Sequence, residues 1–449
     1  MTTLVWFRDD LRLCDNPALT WAATRGEVVA CVLDEPAYPG TRPLGSAAAW
    51  WRERSLAQLR QHLAEHGAPL LRLTGDATKT IPQLAHQIGA DAVCWNRRYH
   101  VRDVDAAVQE SLTASGIAAH SFAGHLLVEP TAIKPYKVYT PFARAARQHL
   151  QDAPLGEPLP VPTLSGPGAE AFAELSDAAP TSTPLPWQQR LANYWEPGET
   201  AARDTLAKLD LSNYDRDRDF LGRSATSHLS PHLRFGEVSV REVWLAASEL
   251  PGDASSFHSE LLWRDFAWHR LYHVPTLATE PVREQFRAFD WYRDTEGVRT
   301  DGTNPRPHAY APLEAWRRGQ TGIALVDAAM AELWHTGYMH NRARMVVGSF
   351  LTKNLGIDWR HGEEWFWDTL VDADPASNPF NWQWVAGCGD DAAPYFRIFN
   401  PELQSKKFDP DGAYVKRWAP PLSPPPIVDL KDSRRAALDA YAEMKDATS

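Results

Sequence analysis

Cysteine is scarce in this chain of 449 residues, with only Cys14, Cys31, Cys94 and Cys388. None of the four forms a C-x-x-C pair, which argues against a structural zinc site and against a disulfide framework. Long apolar runs are also missing: no stretch approaches the roughly 18 residues that a membrane span requires, and the N-terminus has no signal-peptide pattern. We therefore expect a cytoplasmic protein with reduced thiols and no membrane contact.

Several common catalytic signatures are missing as well. No G-x-G-x-x-G follows the first apolar run, and the chain has no Walker loop, no H-E-x-x-H and no G-x-S-x-G. The histidines and acids show no metal-ligand spacing, so we predict no bound metal. These absences weaken hydrolase, metalloenzyme and dinucleotide-dehydrogenase interpretations.

Positive charge is in deficit, because the net charge is −11 at pH 7. A uniformly acidic surface repels a nucleic acid backbone, so any contact with DNA requires a local basic patch. One candidate patch lies near the C-terminus, and an ordinary solvated loop would explain the same residues: Arg397, Lys406, Lys407, Lys416 and Arg417.

Tryptophan, in contrast, is abundant, with 19 residues. Two of them stand two positions apart in SNPFNWQW (377–384), downstream of the crowded segment EEWFWDTLVDAD (363–374). A soluble protein rarely uses so many indoles for packing alone, so these rings require a functional explanation.

The pattern of apolar residues divides the chain into three parts. In residues 1–128, short apolar runs such as TLVWF and EVVACVL alternate with helical patterns, which predicts a doubly wound parallel sheet of the Rossmann-like type. Residues 129–194 include a proline-rich stretch from 151 to 186, which predicts a long irregular linker. Residues 195–449 are helical in pattern. The predicted fold is therefore an α/β domain joined to an all-α domain.

Two predicted helices carry unusual polar faces. In HSELLWRDFAWHR (258–270), helical spacing places Glu260, Trp263 and Arg264 on one face. In HNRARMVVGSF (340–350), it aligns Arg344 with Gly348, where a flat ligand could approach the helix backbone. Structural ion pairs beside half-buried rings would explain each segment equally well.

A third segment, ATSHLSPHLRFG (225–236), reads as the start of a helix. Ser230 followed by Pro231 resembles an N-cap with proline at the first helical position. Free backbone N–H groups at such a terminus favour a phosphate, although plain capping would also account for the pattern.

Together and in this order, these segments resemble the photolyase/cryptochrome flavoproteins, and most closely the class I cyclobutane pyrimidine dimer photolyases. The resemblance spans residues 4–418 and rests on LVWFRDDLRLCDNPAL, TSHLSPHLRFGEVS, ELLWRDF, TGYMHNRARMVVGSFLTKNLGIDWRHGE, DADPASNPFNWQWVAGCGDDAAPYFRIFNP and KFDPDGAYVKRW. It implies a helical domain that binds FAD and an N-terminal domain that holds an antenna chromophore.

The resemblance implies a cofactor site for FAD. Arg344 would pair with Asp372 beside the flavin ring, and Asn378 would face flavin N5, where a neutral amide suits a reduced flavin. The implied cofactor-binding positions are Tyr214, Thr226, Ser227, His228, Leu229, Ser230, Phe257, Arg344, Asp372, Ala373 and Asp374.

The resemblance also explains the tryptophans. An electron would pass to the flavin along Trp382, Trp359 and Trp316, while Trp263 and Trp384 would form an apolar wedge for a flipped pyrimidine dimer. Trp382 and Trp384 can serve different roles only if the local chain bends or turns as a helix. The implied positions for binding UV-damaged DNA are Arg218, Glu260, Trp263, Arg264, Asn341, Arg342, Met345, Trp384 and Gln404.

Two positions depart from the family pattern. Pro379 follows Asn378 and favours extended backbone angles there. His100 stands where folate-binding members often carry glutamate, which argues against methenyltetrahydrofolate as the antenna and leaves a deazaflavin or no antenna equally open. The implied function is light-driven repair of pyrimidine dimers by a monomer, and the alternative is a blue-light cryptochrome without repair activity.

Overall fold

The N-terminal part of the computed structural model is a five-stranded parallel sheet with the strand order β3-β2-β1-β4-β5. The structure describes residues 1–177, 183–291, 310–391, 396–419, 421 and 424–448. The strands are β1 (Thr2–Phe7), β2 (Glu27–Asp34), β3 (Leu70–Thr74), β4 (Ala92–Asn96) and β5 (Ala118–Phe122). The predicted doubly wound parallel sheet is confirmed.

Helices cover both faces of this sheet. Along β1, Val5 and Phe7 belong to the core on one face, whereas Leu4 and Trp6 belong to the core on the other. Because both faces are buried, the strands read as continuous apolar runs rather than as alternating ones. The covering helices are α1 (Pro17–Ala23), α2 (Ser46–Glu65), α3 (Ala77–Gln87) and α4 (Arg102–Ala114).

The segment predicted to be an irregular linker, 129–194, contains regular structure. It includes α5 (Tyr139–Asp152), a 3₁₀ turn (Ala173–Leu175) and α6 (Pro186–Ala192). The proline-rich stretch between α5 and α6 runs along the N-terminal domain, where Asp15 N donates to Leu159 O at 2.7 Å. Val28 N likewise donates to Ser165 O at 2.7 Å. The connector is therefore bound to the first domain by backbone hydrogen bonds.

The rest of the described chain is helical, as predicted. Two large apolar cores hold these helices together, one around Trp316 and Trp382 and the other around Phe257 and Phe266. A 3₁₀ turn (Glu284–Arg287) and a π-helical turn (Phe350–Asn354) add to the α-helices. The helices are α7 (Glu199–Ala207), α8 (Tyr214–Asp217), α9 (Ser230–Arg234), α10 (Val240–Glu249), α11 (Ser255–His273), α12 (Tyr310–Arg317), α13 (Ala324–Thr336), α14 (Asn341–Ser349), α15 (Trp359–Thr369), α16 (Ser377–Ala386), α17 (Pro401–Phe408), α18 (Ala413–Trp418) and α19 (Leu430–Thr448).

Buried carboxylates of the helical part accept hydrogen bonds from the N-terminal domain. Glu199 accepts from the backbone N–H groups of Leu13 and Cys14, at 2.7 and 2.8 Å. Glu237, which is fully buried, accepts from Trp51 Nε1 at 2.8 Å. Asp265, also fully buried, accepts from the N–H groups of Leu127 and Val128. Since a buried carboxylate without such partners is costly, these contacts fix how the two domains dock.

Asp265 gives the first testable prediction. Burial raises the pKa of its carboxyl from 3.8 to about 7, although Arg264 and two backbone N–H groups oppose the rise. The folded protein thus binds this proton more tightly than the unfolded chain, so the stability contributed by Asp265 is present at low pH. It is lost as the pH rises from about 4 to about 7.

We expect Asp265→Asn to remove this pH-dependent loss, because the amide keeps an acceptor for the backbone and does not ionise. Urea unfolding of both proteins between pH 5 and 8 measures the effect. The free energy of unfolding of the wild type should fall relative to that of the variant. Parallel pH profiles would contradict the assignment.

Candidate functional site

A polar wall stands where α14 meets the segment between α15 and α16. Arg344 Nη2 on α14 lies 2.8 Å from Asp372 Oδ2, and Arg344 Nε donates to Met339 O at 2.7 Å. Although burial opposes its charge, the neighbouring Asp372 raises the pKa of Arg344. The predicted Arg344–Asp372 pair is therefore present, and it is held in a fixed orientation.

Hydroxyl groups extend this wall. Ser230 Oγ donates to Asp372 at 2.7 Å. Thr226, Ser227 and His228 precede it in an irregular loop, where His228 adopts the left-handed φ of 54°. The expectation that Ser230 caps a helix is wrong. Leu229 occupies the N-cap position of α9, and Ser230 uses its hydroxyl on Asp372 instead.

Apolar side chains form a cluster beside the loop that carries these hydroxyl groups. Tyr214 and Phe257 meet edge to face, with centroids 5.3 Å apart, and Leu229 is buried beside them in the same core. Tyr214, Phe257 and Leu229 were all predicted to contact the cofactor. The structure brings them into one cluster next to the hydroxyl-bearing loop.

The side-chain amide of Asn378 has a fixed orientation. Its Nδ2 donates to the backbone O of Glu363 at 3.0 Å and to Glu363 Oε1 at 2.8 Å. A backbone carbonyl can only accept, so both amide hydrogens point at Glu363. The oxygen of Asn378 is therefore the atom left to face a ligand, and it is an acceptor.

Helix α16 carries Asn378 and is anchored at both ends. At its start, Asp374 accepts from the N–H groups of Ala376, at 2.9 Å, and of Ser377. At its end, the buried Lys353 donates to Val385 O at 2.6 Å. Asp374 thus contributes to this region by capping the helix, beside the buried Ala373.

The expectation that Pro379 holds Asn378 in an extended conformation is wrong. Both residues lie in the first turn of α16. Proline is tolerated in the first turn of a helix because the N–H that it lacks has no intrahelical acceptor there.

Trp382 occupies a slot between two glycines. A Cβ at Gly362 would lie 2.1 Å from Trp382 Cη2, and a Cβ at Gly348 would lie 3.5 Å from Trp382 Cζ3. The close approach predicted for a ligand at Gly348 is thus used by an indole of the protein itself. Phe366 closes the slot edge-on, with ring centroids 5.0 Å apart.

The predicted tryptophan series is only partly supported. Trp316 contacts Trp382 directly, with centroids 6.1 Å apart at 73°, and donates through Nε1 to Val347 O. Trp316 and Trp359 are both fully buried. Trp316 thus lies against Trp382, and the order of electron transfer along Trp382, Trp359 and Trp316 stays a prediction.

Trp384 lies on the same helix as Trp382 and faces elsewhere, as the two predicted roles require. Its Nε1 donates to Asp391 O at 3.0 Å, and its ring stacks obliquely on Phe399. Residues two positions apart on a helix project in roughly opposite directions. The helical turn predicted to separate the two indoles is confirmed.

The ring of Trp263 is stacked against another ring on one of its two faces. Its ring lies parallel to that of Tyr139 from α5, with centroids 3.7 Å apart and an interplanar angle of 7°. Tyr139 is held in turn, because its hydroxyl donates to Ser259 O at 2.9 Å. One face of the half-buried Trp263 is thus already covered, which leaves the other face for a planar ligand.

The charged groups near Trp263 differ from expectation at one position. Glu260 pairs with Arg218 at 2.6 Å, and both side chains are partly exposed, so both stay near the predicted DNA face. Arg264 does not lie at this DNA face. Its Nη1 donates to His125 O at 2.9 Å, and its side chain is only 12% exposed. The prediction that Arg264 contacts a DNA phosphate is therefore not supported, since its guanidinium serves the domain interface.

The remaining predicted DNA contacts lie at the rim of the site. Arg342 pairs with Asp219 at 2.7 Å and stacks over Phe408, while Asn341 is exposed and Met345 half-buried. Gln404 Oε1 is buried with no hydrogen-bond partner among the described residues. Such an atom is costly unless water or another polar group satisfies it.

At the carboxyl edge of the sheet, side chains of the protein fill the space between β1 and β4. The guanidinium groups of Arg8 and Arg98 lie over the ring of Trp6, and Arg98 forms a two-pronged pair with Glu35. The cavity beside them measures about 10 Å³. Burial lowers the pKa of His100 to about 3. The volume left at this point of the edge is about that of one water molecule.

Some residues of the site escaped the sequence analysis. Glu363 was quoted only as part of a tryptophan-rich segment, and Tyr139 lay in the presumed linker. Arg42, in the loop before α2, pairs with Glu363 although 321 positions separate them. Only Gly362, next to Glu363 in WRHGE, carried a visible signal, because a glycine beside so many indoles suggests close packing.

The described ranges lack two features, a membrane-spanning helix and a metal cluster. No helix there is long and apolar enough to cross a membrane. In the same part of the chain, no group of three or more His, Cys, Asp or Glu side chains could hold a metal ion.

Comparisons with known proteins agree with this geometry. Residues 3–163 match the family model for DNA photolyase, and residues 257–426 match that for the FAD binding domain of DNA photolyase. The chain is 42% identical to the deoxyribodipyrimidine photo-lyase of Agrobacterium fabrum, over 99% of this chain and 98% of that protein.

Solved structures show the same similarity. A class III photolyase from Agrobacterium tumefaciens aligns with a TM-score of 0.86 and 40% identity, over 99% of this chain and 98% of that one. A cryptochrome from Synechocystis aligns with a TM-score of 0.81 and 28% identity, over 98% and 99%. The comparisons thus support the predicted family. We expected a class I photolyase, whereas the Agrobacterium structure is that of a class III photolyase.

The slot around Trp382 gives a prediction for Gly362. We expect Gly362→Ala to destabilise the protein by about 1–3 kcal/mol, because the added methyl group overpacks the slot and displaces the indole. Urea unfolding followed by tryptophan fluorescence measures both effects. Gly156→Ala, where nothing lies within 4 Å of the added carbon, is the matched control. Equal stability of the two variants would refute the role assigned to Gly362.

Proposed function

Because the chain belongs to the DNA photolyase family, whose models match both of its halves, we propose that it repairs cyclobutane pyrimidine dimers in DNA with light. The observation that carries this proposal is the juxtaposition of a flavin-type polar wall with a half-covered tryptophan. The Arg344–Asp372 pair and Asn378 form the wall, and Trp263, stacked on Tyr139, forms the aromatic floor. The enzyme class is deoxyribodipyrimidine photo-lyase, a carbon–carbon lyase.

The residues present fit FAD, the cofactor of this family's helical domain. Hydroxyl groups of Thr226, Ser227 and Ser230 suit the phosphate and ribityl end, and Tyr214 and Phe257 provide apolar edges. Arg344 would lie beside the flavin ring with its charge balanced by Asp372. The oxygen of Asn378 offers an acceptor, which matches the N–H that a flavin carries at N5 when it is reduced.

The chemistry that FAD supplies when bound is the light-driven donation of one electron to the dimer and its later recovery. The protein's own residues bind and orient the cofactor and the dimer, and they exclude water from the site. Glu260 provides an acceptor for the edges of the pyrimidines, and Trp263 provides a stacking surface beside Trp384. Because the reactive carbons are unreachable inside a duplex, enzymes of this kind extrude the damaged pair, which costs less than extruding an intact one.

DNA binding is compatible with the acidic total charge. Phosphate contacts need only local cations, and the proposal assigns them to Arg218 and Arg342 at the rim, near the lysines of α17. Both arginines keep partly exposed side chains in their ion pairs. We place the enzyme in the cytoplasm as a monomer, with residues 129–194 joining an antenna domain (1–128) to the catalytic domain (195–449).

A blue-light receptor without repair activity is the second candidate, and the similarity to the Synechocystis cryptochrome favours it. Both functions require the same cofactor site. They differ in whether Trp263 and its neighbours bind a dimer, so a repair measurement separates them.

The proposal predicts repair by the purified holoprotein. We expect the fully reduced protein to restore a dimer-containing oligothymidylate under blue light and not in the dark. Trp263→Ala should weaken binding of that oligonucleotide by about 1–3 kcal/mol, since one stacking surface is lost. Trp21→Ala, which removes an indole that packs on His120 in the N-terminal domain, is the control. Bound FAD without any repair would favour the receptor function instead.

Electron delivery to the cofactor gives a separate prediction. We expect Trp382→Phe to abolish light-driven reduction of oxidised FAD in the holoprotein, because the benzene ring is much harder to oxidise than the indole. Repair by chemically reduced protein should remain. Absorption spectra during illumination and the repair assay provide the two readouts. Trp244→Phe, at an indole stacked on His258 in the other core, is the control. Equal loss in both assays would exclude a role for Trp382 in electron delivery.

A further inference from the structure

We infer that Arg42 of the N-terminal domain is a positioning residue for the flavin site, acting through Glu363 to fix the amide orientation of Asn378. Arg42 Nη2 forms an ion pair with Glu363 Oε1, the same oxygen that accepts from Asn378 Nδ2. The inference rests on the proposed function insofar as Asn378 faces flavin N5. It adds a link from the antenna domain to the cofactor's reactive edge.

The geometry makes Glu363 an obligatory acceptor. Its side chain is only 1% exposed, whereas the Arg42 side chain is 31% exposed, so Arg42 brings a positive charge from the surface to a buried carboxylate. Burial raises the pKa of Glu363, and the hydrogen bond from Arg42 opposes this rise. The ion pair with Arg42 favours the ionised form of Glu363, and an ionised carboxylate can only accept hydrogen bonds.

The consequence reaches Asn378 directly. An acceptor-only Glu363 holds both hydrogens of the Asn378 amide, which leaves Oδ1 to face the cofactor. Without Arg42, the buried carboxyl group loses the cation that favours its ionised form, and a protonated carboxyl group can donate a hydrogen bond as well as accept one. Only the backbone oxygen of Glu363 then holds the orientation that presents Oδ1, so the orientation that presents the NH₂ group, which suits the N5 of oxidised flavin, costs less than in the wild type.

The loop that carries Arg42 is itself fastened to α15. The Arg42 guanidinium lies 4.2 Å from the ring centroid of Trp367, and Trp367 Nε1 donates to Pro43 O at 2.8 Å. Ser46 N and Oγ both donate to Asp368 Oδ1, at 2.8 and 2.7 Å. These contacts hold Arg42 in place, and they provide a control because Ser46 fastens the loop without touching Glu363.

The test is a redox titration of full-length holoprotein carrying Arg42→Met, Arg42→Lys or Ser46→Ala. For Arg42→Met we expect a lower midpoint potential for reduction of bound FAD and a severalfold faster return of the oxidised flavin spectrum in air. Arg42→Lys, which keeps the charge, should stay close to the wild type, as should Ser46→Ala. FAD content and melting temperature verify that each variant is folded.

A double-mutant cycle with Glu363→Gln tests whether Arg42 acts through Glu363. The single change Glu363→Gln should itself lower the potential, and Arg42→Met should then add no further shift. The inference would be overturned by additive shifts, by an effect of Ser46→Ala equal to that of Arg42→Met, or by an unchanged potential in Arg42→Met. If Arg42→Met does not retain FAD, an unchanged potential in Glu363→Gln overturns it equally. The titration uses no DNA, so absent repair with the expected shifts would reject the proposed function and leave this inference intact.

Discussion

The structure depends on buried carboxylates of the helical domain that accept hydrogen bonds or form ion pairs with groups of the N-terminal domain. Glu199, Glu237 and Asp265 accept from backbone N–H groups or an indole across the boundary, and Glu363 accepts from Arg42. Removing a partner from a buried charge is far more costly than losing an exposed ion pair. The two domains are therefore held in one arrangement, and the flavin site inherits its geometry from that arrangement.

The tryptophans divide into groups with different surroundings. Trp382 and Trp316 lie in one apolar core, where two glycines make room for the ring of Trp382. Trp263 instead lies at the edge of the site with one face covered by Tyr139. The buried environment of Trp382 and Trp316 suits rings that transfer electrons while their neighbours stay fixed. The half-buried environment of Trp263 suits a ring that stacks on a planar ligand.

The sequence alone predicted the structure correctly where local interactions determine it. Apolar runs identified all five strands, and helical spacing placed Arg344 on the face that meets Asp372. It failed where tertiary contacts decided the outcome. Ser230 is a residue type that often caps helices, but its hydroxyl donates to Asp372. Pro379 fits into the first turn of α16, and Arg264 donates to the backbone oxygen of His125.

Other features could not be read from the sequence because their partners are far apart along it. Nothing local distinguishes Arg42 from a surface arginine, and its contact with Glu363 becomes visible only when the domains are docked. Burial of Trp316 was equally hidden, since a tryptophan at a helix end can face either solvent or core.

The position of α5 decides where this protein can be divided. Along the chain, Tyr139 belongs to the segment between the domains, yet its ring lies flat against Trp263 of the catalytic half. A hybrid enzyme given a foreign light-harvesting module would therefore keep an intact stacking surface only if the junction preceded residue 139. A cut in the proline-rich stretch that follows α5 would exchange this helix together with the module and leave the indole without its support.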